Sequence, residues 1–386
     1  MSIVEIKNLK KAVERIKKAV KNKEKIIIYG DADMDGISAV IILEEAIKTL
    51  GGEISTVYFP DREIEGYGLN EDALDYLKSH APALLILLDC GIGNFTEIKS
   101  AKNLGFEVMI VDHHEPLKKL PVASIIVNPK QKGDKYPFKE FAAAGVVFRL
   151  IEVLLQEKLV PALRNNFLEL TALATIADMM PQTDDNLEFI RDGLKSLENT
   201  ARIALQAFWE IDPVIKDNIK SFSQKIILAC HAGNGKDHSN EAYLLLVSRS
   251  LEEAEAAARY LLNKAFDRQL QIKEIVGEVE KKILQNKEEI IIFEGDDSWP
   301  VLMLGPVASK ICRTYQKPVF LYSQKNHSCH GAVRTPRGAD GVKAMMKCSK
   351  NLETYGGHPQ AAGFRVKEKD LGKFKDCLVK YFQNKC

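Results

Sequence analysis

The residues able to do chemistry in this chain are acids and histidines, and most of them follow short apolar runs. KIIIY leads straight into GDADMDG, which sets Asp31, Asp33 and Asp35 just beyond its end. LLILL leads into DCG and Asp89, and VMIV leads into Asp112, His113 and His114. A further acid, Asp178, closes the apolar stretch ALATIAD. Continuous rather than alternating apolar runs read as strands of a parallel sheet covered on both faces. In such a sheet the carboxyl ends of the strands share one edge, where ligands bind, so three strands deliver carboxylates and imidazoles to one place. Taken singly, an Asp after a strand is a turn or helix-cap residue. Gathered together, like charges repel unless cations neutralise them. Carboxylates mixed with imidazole suit manganese or magnesium better than zinc. Two carboxylates in one tight loop and a third from the next strand can grip two ions about 3.5–4 Å apart. Ions at that spacing activate water and support in-line displacement at phosphorus.

The elements that must position these groups follow from periodicity. Ile26–Tyr29, Thr56–Phe59, Leu84–Leu88 and Val108–Val111 read as strands, with Ile37–Leu50, Glu71–Ser79 and Phe95–Leu104 as the intervening helices. The N-terminal MSIVEIKNLKKAVERIKKAV reads as an amphipathic helix with Leu9, Val13, Ile16 and Val20 on one face, without the apolar block of a signal peptide. From Ala142 to about Ser248 the pattern is mostly helical. Ser250–Gln285 places apolar residues at Ala254, Ala258, Leu261, Ala265, Ile272, Val276, Val279 and Ile283. This stretch reads as one helix of about 50 Å, a spacer between domains, with Gly277 as its weak point. Two shorter core helices are the alternative. A strand at Glu289–Phe293 opens a second α/β unit that runs to Cys386.

A chain of 386 residues with 46% hydrophobic and 28% charged residues buries a sizeable core and is long enough for two domains. Lys plus Arg (54) nearly cancels Asp plus Glu (53), so nucleic-acid binding would use a local groove rather than bulk charge. The seven cysteines form no C-x-x-C pair. That argues against a disulfide framework or zinc ribbon and fits a reducing, cytoplasmic interior. No apolar run approaches the roughly 18 residues that span a bilayer.

GDADMDG, DCG, DHHE and TIADMMP resemble, in order and spacing, the four signature motifs of the DHH phosphoesterases. YFPDREIEGYGLN, VNPKQ with YPF, and GGHPQAAG resemble the RecJ branch, and the resemblance covers about Lys25 to Gly363. It implies a parallel-sheet DHH domain (1–248) joined by a linker helix (249–287) to a smaller α/β DHH-associated, substrate-binding domain (288–386). Asp33, Asp35, Asp89, His113 and Asp178 would bind two Mn2+ ions, with Mg2+ as a substitute and Asp89 as the bridge. His114 would face the scissile phosphate as donor or general acid, and Asp31 and Asp112 would orient neighbouring groups unless they are simple loop caps. Arg334, Ser309, Gly356, Gly357 and His358 would contact substrate, with the two domains facing each other across a cleft.

The implied activity is a manganese-dependent exonuclease releasing nucleoside 5′-monophosphates from single-stranded DNA or RNA in the 5′→3′ direction. Other DHH branches act on short oligonucleotides, cyclic dinucleotides or 3′-phosphoadenosine phosphate, and archaeal and eukaryotic relatives bind replication proteins such as GINS. The chain also departs from the branch. Where RecJ nucleases carry N-A-A-G-R, it reads CHAGN (Cys230 to Asn234), with Lys236 nearby, and DDNL (Asp184 to Leu187) replaces a segment that carries Arg in relatives. No residues after Cys386 supply the OB-type domain usual in bacterial members.

Overall fold

The computed structural model describes residues 5–62, 64–117, 119–212, 218–285, 290–325 and 327–383, without the side chains of Lys236, Lys325 and His358. The chain divides into two compact units, Met1–Ala265 and Phe266–Cys386.

In the first unit, α1 (Leu9–Lys21) buries Leu9, Ala12, Val13, Ile16 and Ala19, while Val20 is only partly covered. There follow β1 (Ile26–Gly30), α2 (Met34–Thr49), β2 (Thr56–Tyr58), α3 (Glu71–Leu77), β3 (Ala83–Leu88), α4 (Phe95–Asn103), β4 (Phe106–Val111) and β5 (Ile125–Val127). All five strands are parallel, in the order β2-β1-β3-β4-β5. The pleat sends alternate residues to opposite faces. Ile26, Ile28, Ile86, Met109 and Val111 join α1, α2 and α5 (Ala143–Leu155). Ile27, Tyr29, Leu85, Leu87, Val108 and Ile110 join α3 and α4. Both faces are therefore covered, which is why these strands carry no polar alternation. β5 has only three residues and leaves no such run to read. Beyond α5 the unit is helical, with α6 (Pro161–Ala177), α7 (Asp184–Leu197), α8 (Ile203–Ile211) and α9 (Ile219–His231). A two-residue hairpin, β6 (Gly235–Lys236) and β7 (Ser239–Asn240), precedes α10 (Glu241–Leu246).

α11 (Leu251–Gln285) is one unbroken helix through Gly277. Ala254, Ala258 and Leu261 enter the core of the first unit, and Ile275, Val276 and Val279 that of the second. The second unit continues with β8 (Ile292–Gly295), α12 (Val301–Tyr315), β9 (Val319–Lys325), β10 (Ser328–Arg334), α13 (Gly341–Lys347), β11 (Thr354–His358), β12 (Ala361–Lys367) and α14 (Leu371–Gln383). The expected strand at Glu289–Phe293 is thus β8, and Glu289 itself lies outside the described residues. The sheet order is β11-β12-β10-β9-β8, with only the β8–β9 pair parallel. α12 covers one face, while Phe374 and Leu378 of α14 and Ala344 and Met345 of α13 fill the other.

One expectation is corrected here. Cys348 and Cys377 form a disulfide, with Cα atoms 5.9 Å apart across a sequence separation of 29. Nothing in their spacing announces the pair, because it depends on α13 and α14 packing side by side.

α6 and α7 pack so closely that a Cβ on Gly193 would lie 2.3 Å from the Leu168 carbonyl oxygen and 2.5 Å from Ala172 Cβ. Gly193→Ala is expected to cost about 1–3 kcal/mol through overpacking. Gly277→Ala meets nothing within 4 Å and should stabilise by roughly 0.5–1 kcal/mol through helix propensity. Urea midpoints moving in opposite directions would confirm both; a neutral Gly193→Ala would contradict the close approach.

Candidate metal centre

The chain leaves β1 for β2 on one side and returns to β3 on the other, so a topological switch point lies between β1 and β3, where ligands bind in such sheets. The ladder carries three aspartates to this edge in register. The amide of Asp31 donates to the Leu88 carbonyl at 3.2 Å, that of Asp89 to Val111 at 3.1 Å and that of Asp112 to Val127 at 3.1 Å. Asp89 adopts φ 60°, a left-handed conformation in the middle of the site and the kind of local strain that functional sites retain.

Each remaining acid is tied to a helix terminus. Asp33 caps α2, its Oδ1 accepting from the amides of Asp35 (3.0 Å) and Gly36 (3.1 Å). Asp35 reaches the start of α5, accepting from the amides of Ala143 (2.6 Å) and Ala144 (2.8 Å). Asp178 closes α6. His113 Nε2 lies 3.2 Å from Asp89, 3.6 Å from Asp178 and 3.8 Å from Asp35. Candidate ligand atoms therefore fall into three sets, each drawn together within 4.8 Å: Asp31, Asp33 and Asp89; Asp35, His113 and Asp178; and Asp89, His113 and His114. All five residues expected to bind metal are present in these sets, and Asp31 and His114 join them.

The electrostatics fit cations. Asp89 Oδ1 and Asp178 Oδ2 are buried without a hydrogen-bond partner, a costly state unless something else satisfies them. Burial, reinforced by Asp35, Asp33 and the other neighbouring carboxylates, holds Asp89 well above the usual carboxylate range. Burial, with Asp178 and Asp33, does the same to Asp35. Burial and Asp33 push Asp178 up to about 6. Hard oxygens with one imidazole are a donor set for Mn2+ or Mg2+, which Asp31, Asp33, Asp35, Asp89, His113 and Asp178 could hold.

The two histidines differ. Burial, followed by the charge on His114, lowers His113 to about 4 and keeps it neutral, as a metal ligand must be. For His114 burial works against the charge, yet the Asp112 carboxylate, 2.8 Å from Nδ1, raises it. Burial works against the Asp112 charge, but the His114 ring, by its hydrogen bond and its charge, holds Asp112 low, and Asp112 also accepts from the amides of Ile92, His113 and His114. It is therefore well placed to orient His114. Asp31 caps Ala32 and pairs with Arg62, while burial leaves it raised.

Three further residues touch the centre that motif reasoning left without roles. Arg62 pairs with Asp31 and, at 3.0 Å, with Asp33; it holds Asp33 low against its burial. Tyr67 donates to the Asp89 carbonyl at 3.0 Å and lies 3.2 Å from His114 Nδ1. The Asn128 amide donates to the His114 carbonyl at 2.9 Å. All three sit in the quoted YFPDREIEGYGLN and VNPKQ segments, so the signal was present without its geometry.

In the second unit, Arg334 ends β10, and its Nε donates to Ser309 Oγ at 2.9 Å. Among the described residues no carboxylate pairs with it, and burial lowers its pKa. The structure therefore does not give it the surface salt bridge that is the usual fate of such an arginine. Arg334 and His358 both pair with Ala361, placing both backbones at one end of the sheet; the His358 side chain lies outside the description. Gly357, at φ 125°, has no room for a Cβ, which would lie 2.6 Å from the Ala361 carbonyl. The amide of Asn234, in the CHAGN departure, donates to the Glu241 carboxylate at 2.9 Å, and the Glu241 amide donates to the Asn234 carbonyl at 3.2 Å.

Residues 25–175 match the DHH family, N-terminal domain, and residues 286–384 the DHHA1 domain. The chain is 34% identical over 387 residues to the single-stranded-DNA-specific exonuclease RecJ of Bacillus subtilis (strain 168), covering 98% of this chain and 48% of that protein. It superposes on a crystal structure of exonuclease RecJ bound to manganese with TM-score 0.85 and 27% identity, covering 99% of this chain and 96% of that one. RecJ from Thermus thermophilus in complex with Mn2+ gives TM-score 0.82 and 25% identity, over 99% and 56%. The chain spans about half the length of the curated relatives it matches first.

The raised acids predict a pH signature. A carboxylate whose folded pKa exceeds its unfolded value keeps a proton that the unfolded chain has lost, so folding stability falls as pH rises through the folded value. Asp35, Asp89 and the raised His114 all act in this direction, against the depressed His113, whose opposing contribution builds from about pH 4 and levels off above its ordinary value of 6.5. The metal-free protein should therefore melt at a lower temperature at pH 8 than at pH 6.5, and Mn2+ should raise the melting temperature more at pH 8. A manganese effect independent of pH, measured by calorimetry, would count against the cluster as the site.

Proposed function

The chain belongs to the DHH family, and from that premise we propose that it is a manganese-dependent exonuclease acting on single-stranded nucleic acid. The observation that carries this reading is the set of buried carboxylate oxygens without donors, gathered around His113 at the switch point of the sheet. Similarity over 98% of the chain to a single-stranded-DNA-specific exonuclease supports the substrate.

In this reading Asp33, Asp35, Asp89, His113 and Asp178 would hold two ions, and Arg62 steadies Asp31 and Asp33 from outside. Bound metal supplies a water of lowered pKa and a Lewis acid for the phosphate oxygens. His114, charged beside Asp112, donates a hydrogen bond or proton to the scissile phosphate. Asp112, Tyr67 and Asn128 fix its position. In the second unit Arg334, braced by Ser309 and without a carboxylate partner among the described residues, offers a guanidinium to a phosphate, with the Gly356–His358 backbone at the same end of the sheet. RNA as a second substrate, 5′→3′ direction, a cytoplasmic place in DNA repair or replication, and contact with replication proteins such as GINS are the finer parts of the proposal. The near-neutral charge and the CHAGN departure favour a second reading, a phosphodiesterase of short oligonucleotides, cyclic dinucleotides or 3′-phosphoadenosine phosphate. Rates on labelled DNA, RNA and dinucleotides with added Mn2+ separate the two: faster turnover of dinucleotides than of long strands overturns the exonuclease.

The histidines should divide by variant. His113→Ala is expected to weaken manganese binding, whereas His114→Ala should spare it and slow turnover on the order of 10²–10⁴-fold. Equal manganese affinities in calorimetric titrations of the two variants would refute this division.

The substrate end gives another expectation. An arginine gripping a terminal phosphate contributes roughly 1.5–3 kcal/mol, or about 10- to 150-fold in discrimination. Asn234 lacks that charge, and a lysine nearby lacks the planar fork. Little preference for a 5′-phosphate over a 5′-hydroxyl should appear on 3′-labelled oligonucleotides, and Asn234→Arg should create one. Strong 5′-phosphate preference in the unmodified protein would show that other residues build that pocket.

A further inference from the structure

We propose that the Cys348–Cys377 disulfide of the second unit is an exchange site for a small anionic thiol, seated in a lysine-lined pocket. Cys348 follows α13 and is buried, whereas Cys377 lies midway along α14 and borders a pocket of about 490 Å3. The other lining residues are Lys347, Lys373, Asp376, Lys380 and Tyr381. Lys373, Cys377 and Lys380 follow at i, i+4 and i+7 and so share one face of α14. Lys347, at the end of α13, joins them. Three ammonium groups face one pocket carboxylate, and among the described residues only Lys373 of the three has an ion-pair partner, Asp370 at 3.1 Å. A pocket of this volume admits a ligand of small-molecule size, and its charge concentrates anions at the sulfur.

Exposure of sulfur is restricted in the same way. Cys90, Cys230, Cys312 and Cys329 are free and buried, whereas Cys377 is partly exposed and borders this pocket. Exchange proceeds by attack of a thiolate on a disulfide sulfur. An incoming RS− attacks Cys377 Sγ, forming RS–S–Cys377 and breaking the bond to Cys348. Cys348 leaves as thiolate and takes a proton from solvent. A second RS− attacks the outer sulfur of the mixed disulfide, releasing the Cys377 thiolate and RSSR. Two electrons pass from two thiolates to the protein disulfide, and RSSR runs the sequence backwards. The lysines favour the forward step twice, by drawing the anionic thiol in and by stabilising the thiolate that develops on Cys377.

The test treats the full chain, oxidised in air, with glutathione, 2-mercaptoethanol or cysteamine, which carry negative, neutral and positive groups beside the thiol. Loss of the disulfide is followed by alkylation and peptide mass, and each rate is normalised to its thiolate fraction. Glutathione should react fastest and cysteamine slowest, with a spread of roughly 10-fold or more. The spread should collapse in 1 M salt and in the combined Lys347→Gln, Lys373→Gln and Lys380→Gln variant, in which glutathione should slow several-fold more than 2-mercaptoethanol. Equal normalised rates for the three thiols, a charge order that survives the triple variant, or free alkylation of both cysteines before any reductant would each overturn the proposal.

Discussion

Repulsion among buried carboxylates is the constraint around which the first unit is organised. Two like charges 4 Å apart cost about 4 kcal/mol even at an effective dielectric of 20, and the switch point gathers Asp31, Asp33, Asp35, Asp89, Asp112 and Asp178. The fold answers most of this with fixed dipoles. Asp33 sits on the N-terminus of α2 and Asp35 on that of α5, where unsatisfied amides favour negative charge. Asp112 takes three backbone amides and an imidazole, and Asp31 takes Arg62. What is left uncompensated falls on Asp89 and Asp178, whose buried oxygens have no donor. The unmet demand for positive charge is thus confined to the place where a metal ion would satisfy it.

That localisation explains why so much of the site was legible before any coordinates. β1, β3 and β4 are buried on both faces, so they appear as uninterrupted apolar runs, and the residue after each run must emerge at the ligand edge. Asp31, Asp89 and Asp112 follow from that rule alone. Their capping bonds do not: that Asp35 would hold the start of α5, 108 residues further on, requires the packing of α2 on α5. Arg62, Tyr67 and Asn128 were missed for a related reason. They lie in irregular segments, where no periodicity tells which way a side chain points. The Cys348–Cys377 bond was illegible because cysteine spacing speaks only for local motifs, and this pair is created by two helices meeting.

The second unit follows the opposite electrostatic logic. Its sheet end presents Arg334 without a carboxylate partner among the described residues, braced by a neutral hydroxyl, near Gly356, where a Cβ would meet nothing within 4 Å, and Gly357, where none fits. An arginine in an ordinary surface pair contributes little to stability. One kept half-buried and unpaired is retained at a desolvation cost that only an incoming anion relieves. The first unit leaves oxygens of Asp89 and Asp178 without a donor, the second leaves Arg334 without a carboxylate among the described residues, and neither feature depends on the net charge of the whole chain.

The adjacent histidines show how finely position can divide two identical groups. The chain turns out of β4 at Asp112, so His113 enters the interior while His114 stays at the rim, about a third exposed. Burial then keeps His113 neutral, while the carboxylate of Asp112 raises His114 and favours its charged form. Environments that push like groups apart are how one site acquires both a ligand and an acid. Asp112 makes the separation stable, because its oxygens bind the amides of both histidines and the ring of only one. A shift of the strand by one residue would exchange their environments, so the register of β4 against β3 and β5 is itself part of the chemistry.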